Sequence, residues 1–229
     1  MKGVMKISYV AWVIILAANL LVSRTEALSL DEVVDRIQER YEQTEDFSAD
    51  FQQSSLLGSL KKEQNAAGHV YIQKPGKMRW EYHTPEQQFL VSDGETLWVY
   101  TPGLGQVIEN QFSTAYDSKT PALFLAGLGN IKEDFEIHFN SEKPSTSEEG
   151  YVLKLKPKDP QLYLSKLIIT VNRKGFLVEK STAYDPLGNV ITLWFSNIRT
   201  NVGLSTSTFQ IQVPEGIERI RPPTFPLNP

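Results

Sequence analysis

Three histidines, His69, His83 and His138, are the side chains of this sequence best suited to proton transfer near neutral pH or to metal binding. None stands in H-E-x-x-H or another ligand spacing. His69 and His138 fall within alternating strand patterns, where they read as ordinary sheet residues. Ser92 has no G-x-S-x-G elbow around it, and with Asp93 and Gly94 it reads as a turn. Gly103-Leu104-Gly105 lacks the rest of any phosphate-binding signature and reads as a loop. A glycosidase needs two carboxylates roughly 5–10 Å apart. Glu81 and Glu95 could form such a pair, but nothing in the sequence singles them out. The chain has no Cys, which excludes disulfides, thiolate catalysis, thiolate metal sites and acylation of this chain at a cysteine. Nothing among these residues specifies an enzyme, and a non-catalytic role is expected.

The N-terminus reads as an export signal. Lys2 and Lys6 precede a nearly unbroken apolar run from Ile7 to Val22, and Thr25-Glu26-Ala27 gives a small-x-small cleavage site. The alternative is an uncleaved anchor helix, but the run is shorter than the roughly 20 residues a span requires. Cleavage after Ala27 takes three basic and one acidic residue from totals of 23 and 27, leaving 20 and 26 and a net charge of −6. Such a balance disfavours nucleic acid and purely electrostatic membrane binding. The expected organisation is a signal peptide over 1–27, one domain over 28–215 and a Pro-rich tail over 216–229.

Ser29 and Glu32 form a capping box at the head of a helix over 29–44, with Leu30, Val33, Val34, Ile37 and Tyr41 on one face. The period then changes to two. Val70 and Ile72 alternate with polar neighbours, as do Met78, Trp80 and Tyr82; residues 89–91 and 96–100 flank Ser92-Asp93-Gly94. Further strands are expected over 135–139, 151–156, 164–171, 175–184, 190–197 and 208–213. Hairpin spacing implies a mainly antiparallel sheet. Thr120 to Leu128, with Pro121 near its start and Gly127 near its end, reads as a helix apolar on all sides, either buried or covering something apolar. Pattern alone leaves two readings of the aromatic residues: a closed core, or an apolar cavity under that helix.

The run Lys74-Pro75-Gly76-Lys77-Met78-Arg79-Trp80-Glu81-Tyr82, followed by Leu90-Val91-Ser92-Asp93-Gly94-Glu95-Thr96-Leu97-Trp98-Val99-Tyr100, resembles the periplasmic outer-membrane lipoprotein carriers of the LolA type. Phe47-Ser48-Ala49-Asp50-Phe51-Gln52-Gln53 adds to the resemblance, which runs from about Leu28 to Pro214. It implies a mainly β fold with a few α-helices: an incomplete, strongly curved antiparallel β-barrel closed by a helical lid. It implies a soluble, monomeric periplasmic carrier that takes acylated lipoproteins from an inner-membrane ABC transporter to an outer-membrane acceptor, with no cofactor, no metal and no covalent step. Carried over by position, Phe47, Phe51, Trp80, Leu90, Leu123 and Leu125 would line the acyl-chain cavity, the last two on the lid. Lys74 stands where the family often has an Arg that latches the lid; Lys can reach the same carbonyls as a compact ammonium, or can be a solvated turn residue. A periplasmic lipid binder or an envelope-stress sensing domain of similar shape is the alternative function.

Overall fold

In a computed structural model the chain is described over residues 28–112, 130–140, 150–160 and 163–221. The expected signal peptide, the apolar segment 120–128 with Leu123 and Leu125, and most of the Pro-rich tail lie outside these. The helix α1 spans Leu30–Glu42. Ser29 Oγ accepts from Glu32 N at 3.3 Å while Ser29 N donates to Glu32 Oε2 at 2.8 Å, so the capping box closes as its spacing requires. Val33, Val34, Ile37 and Tyr41 are buried.

Twelve strands follow: β1 (Asp46–Leu57), β2 (Lys62–Gln73), β3 (Lys77–Thr84), β4 (Gln88–Asp93), β5 (Thr96–Thr101), β6 (Gln106–Gln111), β7 (Phe135–Phe139), β8 (Tyr151–Pro157), β9 (Lys166–Val171), β10 (Val178–Tyr184), β11 (Val190–Thr200) and β12 (Glu218–Ile220). A short helix α2, Ile131–Asp134, precedes β7. They form one unclosed sheet in the order β12-β6-β5-β4-β3-β2-β1-β11-β10-β9-β8-β7. Every pairing is antiparallel except β12 with β6. The turn at residues 92–95 is built as its residue types demand: Asp93 Oδ1 accepts from Glu95 N and Thr96 N, each at 2.9 Å, and Gly94 takes φ 104°.

The sheet is strongly curled. Trp80 on β3 and Phe195 on β11 are three strands apart, about 14 Å in a flat sheet. Their ring centroids lie 6.4 Å apart. Register shifts at Ser48/Asp50, Ala67/Gly68 and Val178/Lys180 mark where strands bend. One apolar core fills the concave side, running from Leu97 on β5 to Leu153 on β8, with α1 packed into it.

The chain after β11 departs from the strand that the pattern predicts over residues 208–213. Thr206–Phe209 is instead a 3₁₀ turn, capped by Ser205 Oγ accepting from Ser207 N, and residues 210–217 form no strand. The segment lies across the convex face of β3–β5, where no strand edge can pair with it. Phe209 anchors it and is fully buried, as are Val91 and Val107 on that face of the sheet. Arg79 Nη1 donates to Thr208 O and Gln210 O at 3.3 Å each. Asp46, itself buried, holds the start of this strap by accepting from Val202 N, Gly203 N and Leu204 N at 2.7, 2.7 and 3.1 Å.

Glu218–Ile220, read from sequence as tail, joins the sheet beside β6. Glu109 on β6 receives Arg219 and Arg221 at 2.5 and 2.7 Å. Hydrogen bonding to Arg221, then to Arg219, holds the Glu109 carboxyl below its usual range against the opposing effect of burial. A carboxylate with a depressed folded-state pKa adds stability that is present above its unfolded value and lost as pH falls through the folded one. The protection of β12 amides, taken relative to their intrinsic exchange rates at each pH, should therefore fall below about pH 4.5, more than in β1. An equal loss of protection in both strands would mean that Glu109 does not fasten β12.

Candidate functional site

Register decides which residues share the concave face. Phe47 pairs with Ile72 and Phe51 with Gly68; Ile72 pairs with Met78, Val70 with Trp80 and Gly68 with Tyr82; Trp80 pairs with Leu90. Opposite pairs in a sheet point to one face, so Phe47, Phe51, Trp80 and Leu90 all face inward. The first three are buried and Leu90 is half-buried against them. The Phe51 ring meets Trp80 at 4.9 Å and Tyr82 at 5.0 Å, both edge-to-face. Phe47 meets Phe195 at 6.1 Å. The result is a continuous aromatic lining across β1, β3 and β11, with the edge geometry that aromatic quadrupoles favour. Sequence reasoning does not select Phe195 or Tyr82. Both lie in recognisable alternating runs, but alternation does not say which distant strand becomes the neighbour.

Cover over this face is uneven. Towards α1 the inward residues Val70, Ile72 and Met78 are buried. Towards the other end, inward Tyr82 on β3, Leu90 on β4, Ala183 on β10 and Leu193 on β11 are only half-buried, while Leu155 on β8 and Leu167 on β9 stay buried. Among the described residues the concave face is therefore less covered, over β3, β4, β10 and β11, at the end away from the C-terminus of α1, which carries the connections β1–β2, β3–β4, β5–β6, β8–β9 and β10–β11. Its chemistry is apolar with few polar groups, the makeup of a site for hydrocarbon. Tyr82 satisfies its hydroxyl on Gln53 Oε1 at 3.1 Å.

Lys74 lies at the closed end. Its ammonium donates to the carbonyl of Tyr41 in the last turn of α1, where a cation complements the helix dipole. Burial pushes its pKa down, partly offset by Glu42. Arg40 Nη2 donates to Thr200 Oγ1 at 2.9 Å, and the Arg36 guanidinium lies 5.3 Å from the Phe176 ring. The helix is thus tied to the β2–β3 turn and to the β9–β11 half of the sheet. Leu123 and Leu125 lie outside the described residues.

Among the described residues His69, His83 and Glu81 are held in pairings on the convex face. His69 Nδ1 pairs with Asp50, and the His69 and His83 rings meet at 5.0 Å on the convex face. A hydrogen bond from Asn197, then the charge of His69, lowers the Asp50 pKa against the effect of burial. No three His, Asp or Glu side chains among the described residues are grouped to hold a metal. Glu81 is engaged by Arg79. Two grooves, each of about 600 Å³, flank the strap on the convex face, one bordered by Tyr71, Arg79 and Phe89, the other by Lys77, Glu95 and Trp98. They are open and half polar, and they lie on the side of the sheet opposite the aromatic lining. Among the described residues no helix is long and apolar enough to cross a membrane.

The family described as "Outer membrane lipoprotein carrier protein LolA" matches residues 42–212. The outer-membrane lipoprotein carrier protein of Methylococcus capsulatus is 34% identical over 170 residues, covering 74% of this chain and 78% of its own. That of Chromohalobacter salexigens is 30% identical over 214 residues, covering 92% and 96%. Among solved structures, an uncharacterized conserved protein from Thermus thermophilus shares the fold with a TM-score of 0.54 at 14% identity, covering 85% of this chain and 99% of that one.

Proposed function

This chain belongs to the LolA family of outer-membrane lipoprotein carriers, and from that we propose that it shields the acyl chains of lipoproteins against the concave face of its sheet while they cross the periplasm. The observation that supports this reading is the inward register of Phe47, Phe51, Trp80 and Leu90 on a face that is covered at one end and half-open at the other. In this reading residues 1–27 are removed on export, an inner-membrane ABC transporter loads the carrier, and an outer-membrane acceptor unloads it. The carrier acts as a monomer, and no bond is made or broken.

The energetics set a limit on how the cargo is held. Each buried methylene is worth about 0.8 kcal/mol, so a chain of about 15 methylenes would gross about 12 kcal/mol. Two or three such chains would pass the practical affinity ceiling near 20 kcal/mol, and the cargo would not leave. Incomplete burial, or the cost of displacing a cover, brings the affinity back into a range that permits transfer. The half-buried end of the face meets the first requirement. A cover carrying Leu123 and Leu125 would meet the second.

A photo-crosslinking amino acid placed at Trp80 or Leu90 should capture lipoprotein in cells. The same group at Glu81 or Phe89, which pair with each other and face the convex side, should not. Capture from the second pair and never from the first would reject the concave face as the cargo site.

A further inference from the structure

Among the described residues the four most exposed large apolar side chains lie at one end of the sheet. Leu60, Leu104, Tyr163 and Leu187 are 70, 67, 69 and 80% exposed. Each lies in a different connection: β1–β2, β5–β6, β8–β9 and β10–β11. The register places all four connections at one end of the sheet, since Leu57 pairs with Lys62, Leu56 with Val190, Thr101 with Gln106 and Tyr184 with both Val190 and Lys166. This is the half-open end of the concave face. Leu56 and Ile191, 40 and 43% exposed, add to the same rim.

The most prominent part is also held rigid. Residues 62–66 of β2 run past the end of β3, so the β1–β2 hairpin projects from the rim beside the β10–β11 hairpin. Gly58 N donates to Asn189 Oδ1 at 3.0 Å, and Asn189 is fixed in turn by Asp185 through bonds of 2.8 and 2.6 Å. Gly58 allows the approach: a β-carbon there would lie 2.4 Å from the carbonyl oxygen of Gly188. The turns that carry Leu60 and Leu187 are thereby held together. Lys61 and Lys62 follow Leu60 directly, and behind Leu187 the Lys166 ammonium rests 3.8 Å from the Tyr184 ring.

From these observations we infer that the rim docks on a phospholipid bilayer, with Leu60 and Leu187 entering the acyl boundary and Lys61, Lys62 and Lys166 at headgroup level. The inference rests on the carrier reading for its purpose: docking would bring the open end of the cargo face to the surface where acyl chains leave or enter lipid. Leucine tips backed by Tyr and Lys match the layering of a membrane interface. Single apolar tips on separate turns suit a fluid surface, which needs no matching pockets, better than a protein partner, which buries one contiguous patch. A net acidic chain gains little from charge alone at an anionic membrane, so the apolar tips must supply the attraction.

The test is flotation of the purified exported protein with vesicles of phosphatidylethanolamine containing a minority of phosphatidylglycerol. The wild type should float with them, and the Leu60→Asp/Leu187→Asp double variant should partition about tenfold less or lower. Val202→Asp, at an exposed apolar position at the opposite end of the sheet, should behave as wild type. All three positions are exposed enough that folding is retained. Flotation of the double variant equal to wild type, or no flotation of the wild type, would overturn the inference. Flotation only with vesicles that also carry membrane proteins would overturn it in favour of a protein partner. Lipoprotein capture at Trp80 in solution reports separately on the carrier reading, and the double variant should retain it.

Discussion

Gly68→Ala should destabilise the protein by about 3 kcal/mol or more, at or beyond the upper end of what overpacking costs. Gly68 pairs with both Phe51 on β1 and Tyr82 on β3, where the β2–β3 register slips. A β-carbon at this position would sit 1.7 Å from the carbonyl oxygen of Glu81, 2.8 Å from its carbon and 3.1 Å from the Phe51 ring. Two of these three atoms are backbone in a paired strand, so they cannot swing aside. Relief requires opening the β2–β3 ladder, pushing Phe51 out of its contact with Trp80, or both. For a domain of this size 1 kcal/mol corresponds to roughly 2–4 °C in melting temperature, so a fall of about 10 °C is expected. A change within about 2 °C would show that the bulge adapts without strain. The position also explains why the aromatic lining is continuous, since the absence of a side chain on β2 leaves space for the Phe51 ring to lie between Trp80 and Tyr82.

Phe51→Ala should cost about 3–5 kcal/mol in the empty protein, the range for truncating a buried aromatic residue. The side chain is 2% exposed and touches two rings at about 5 Å, so its removal leaves a void that the curled sheet cannot collapse to fill. The size of the loss is expected of any core residue. Its dependence on cargo is not. If acyl chains occupy the concave face, a loaded carrier can fill part of the void, and binding to the folded state alone raises its stability by mass action. The melting temperatures of wild type and variant should therefore differ less when both are loaded with lipoprotein than when both are empty. An unchanged gap would place Phe51 in a closed core that cargo never reaches, and would move the site towards the half-buried residues Tyr82 and Leu90.

Several elements can be read directly from the chain because local chemistry specifies them. Ser29 and Glu32 close their capping box and Val33, Val34, Ile37 and Tyr41 form the buried stripe of α1, since cap and stripe depend only on residues within a few turns. The Asp93 turn follows in the same way from a side chain that reaches its own backbone. Strand β1 is harder to see: Gln52-Gln53-Ser54-Ser55 is polar on both faces, and it holds its place by pairing with β2 and β11 on either side. Residues 208–213 show the opposite failure. Their composition suits a strand, but Phe209 is buried under them and pins them across the convex face, and only Glu218–Ile220 reaches the edge of the sheet at β6.

The resemblance points to Phe47, Phe51, Trp80 and Leu90 as one lining, and alternation within the strands agrees that they could share a face. Only the assembled sheet can say that this face is concave, because a period of two creates two faces without marking which one curls inward. The curl arises from bulges and from pairings between strands far apart in the chain, neither of which leaves a hydrophobic signature. The same holds for Phe195 beside Phe47, for Lys74 on the carbonyl of Tyr41, and for the gathering of Leu60, Leu104, Tyr163 and Leu187 at one rim. In the sequence these four lie far apart, each in a different connection between strands. They become a surface because an antiparallel sheet returns every second connection to the same end.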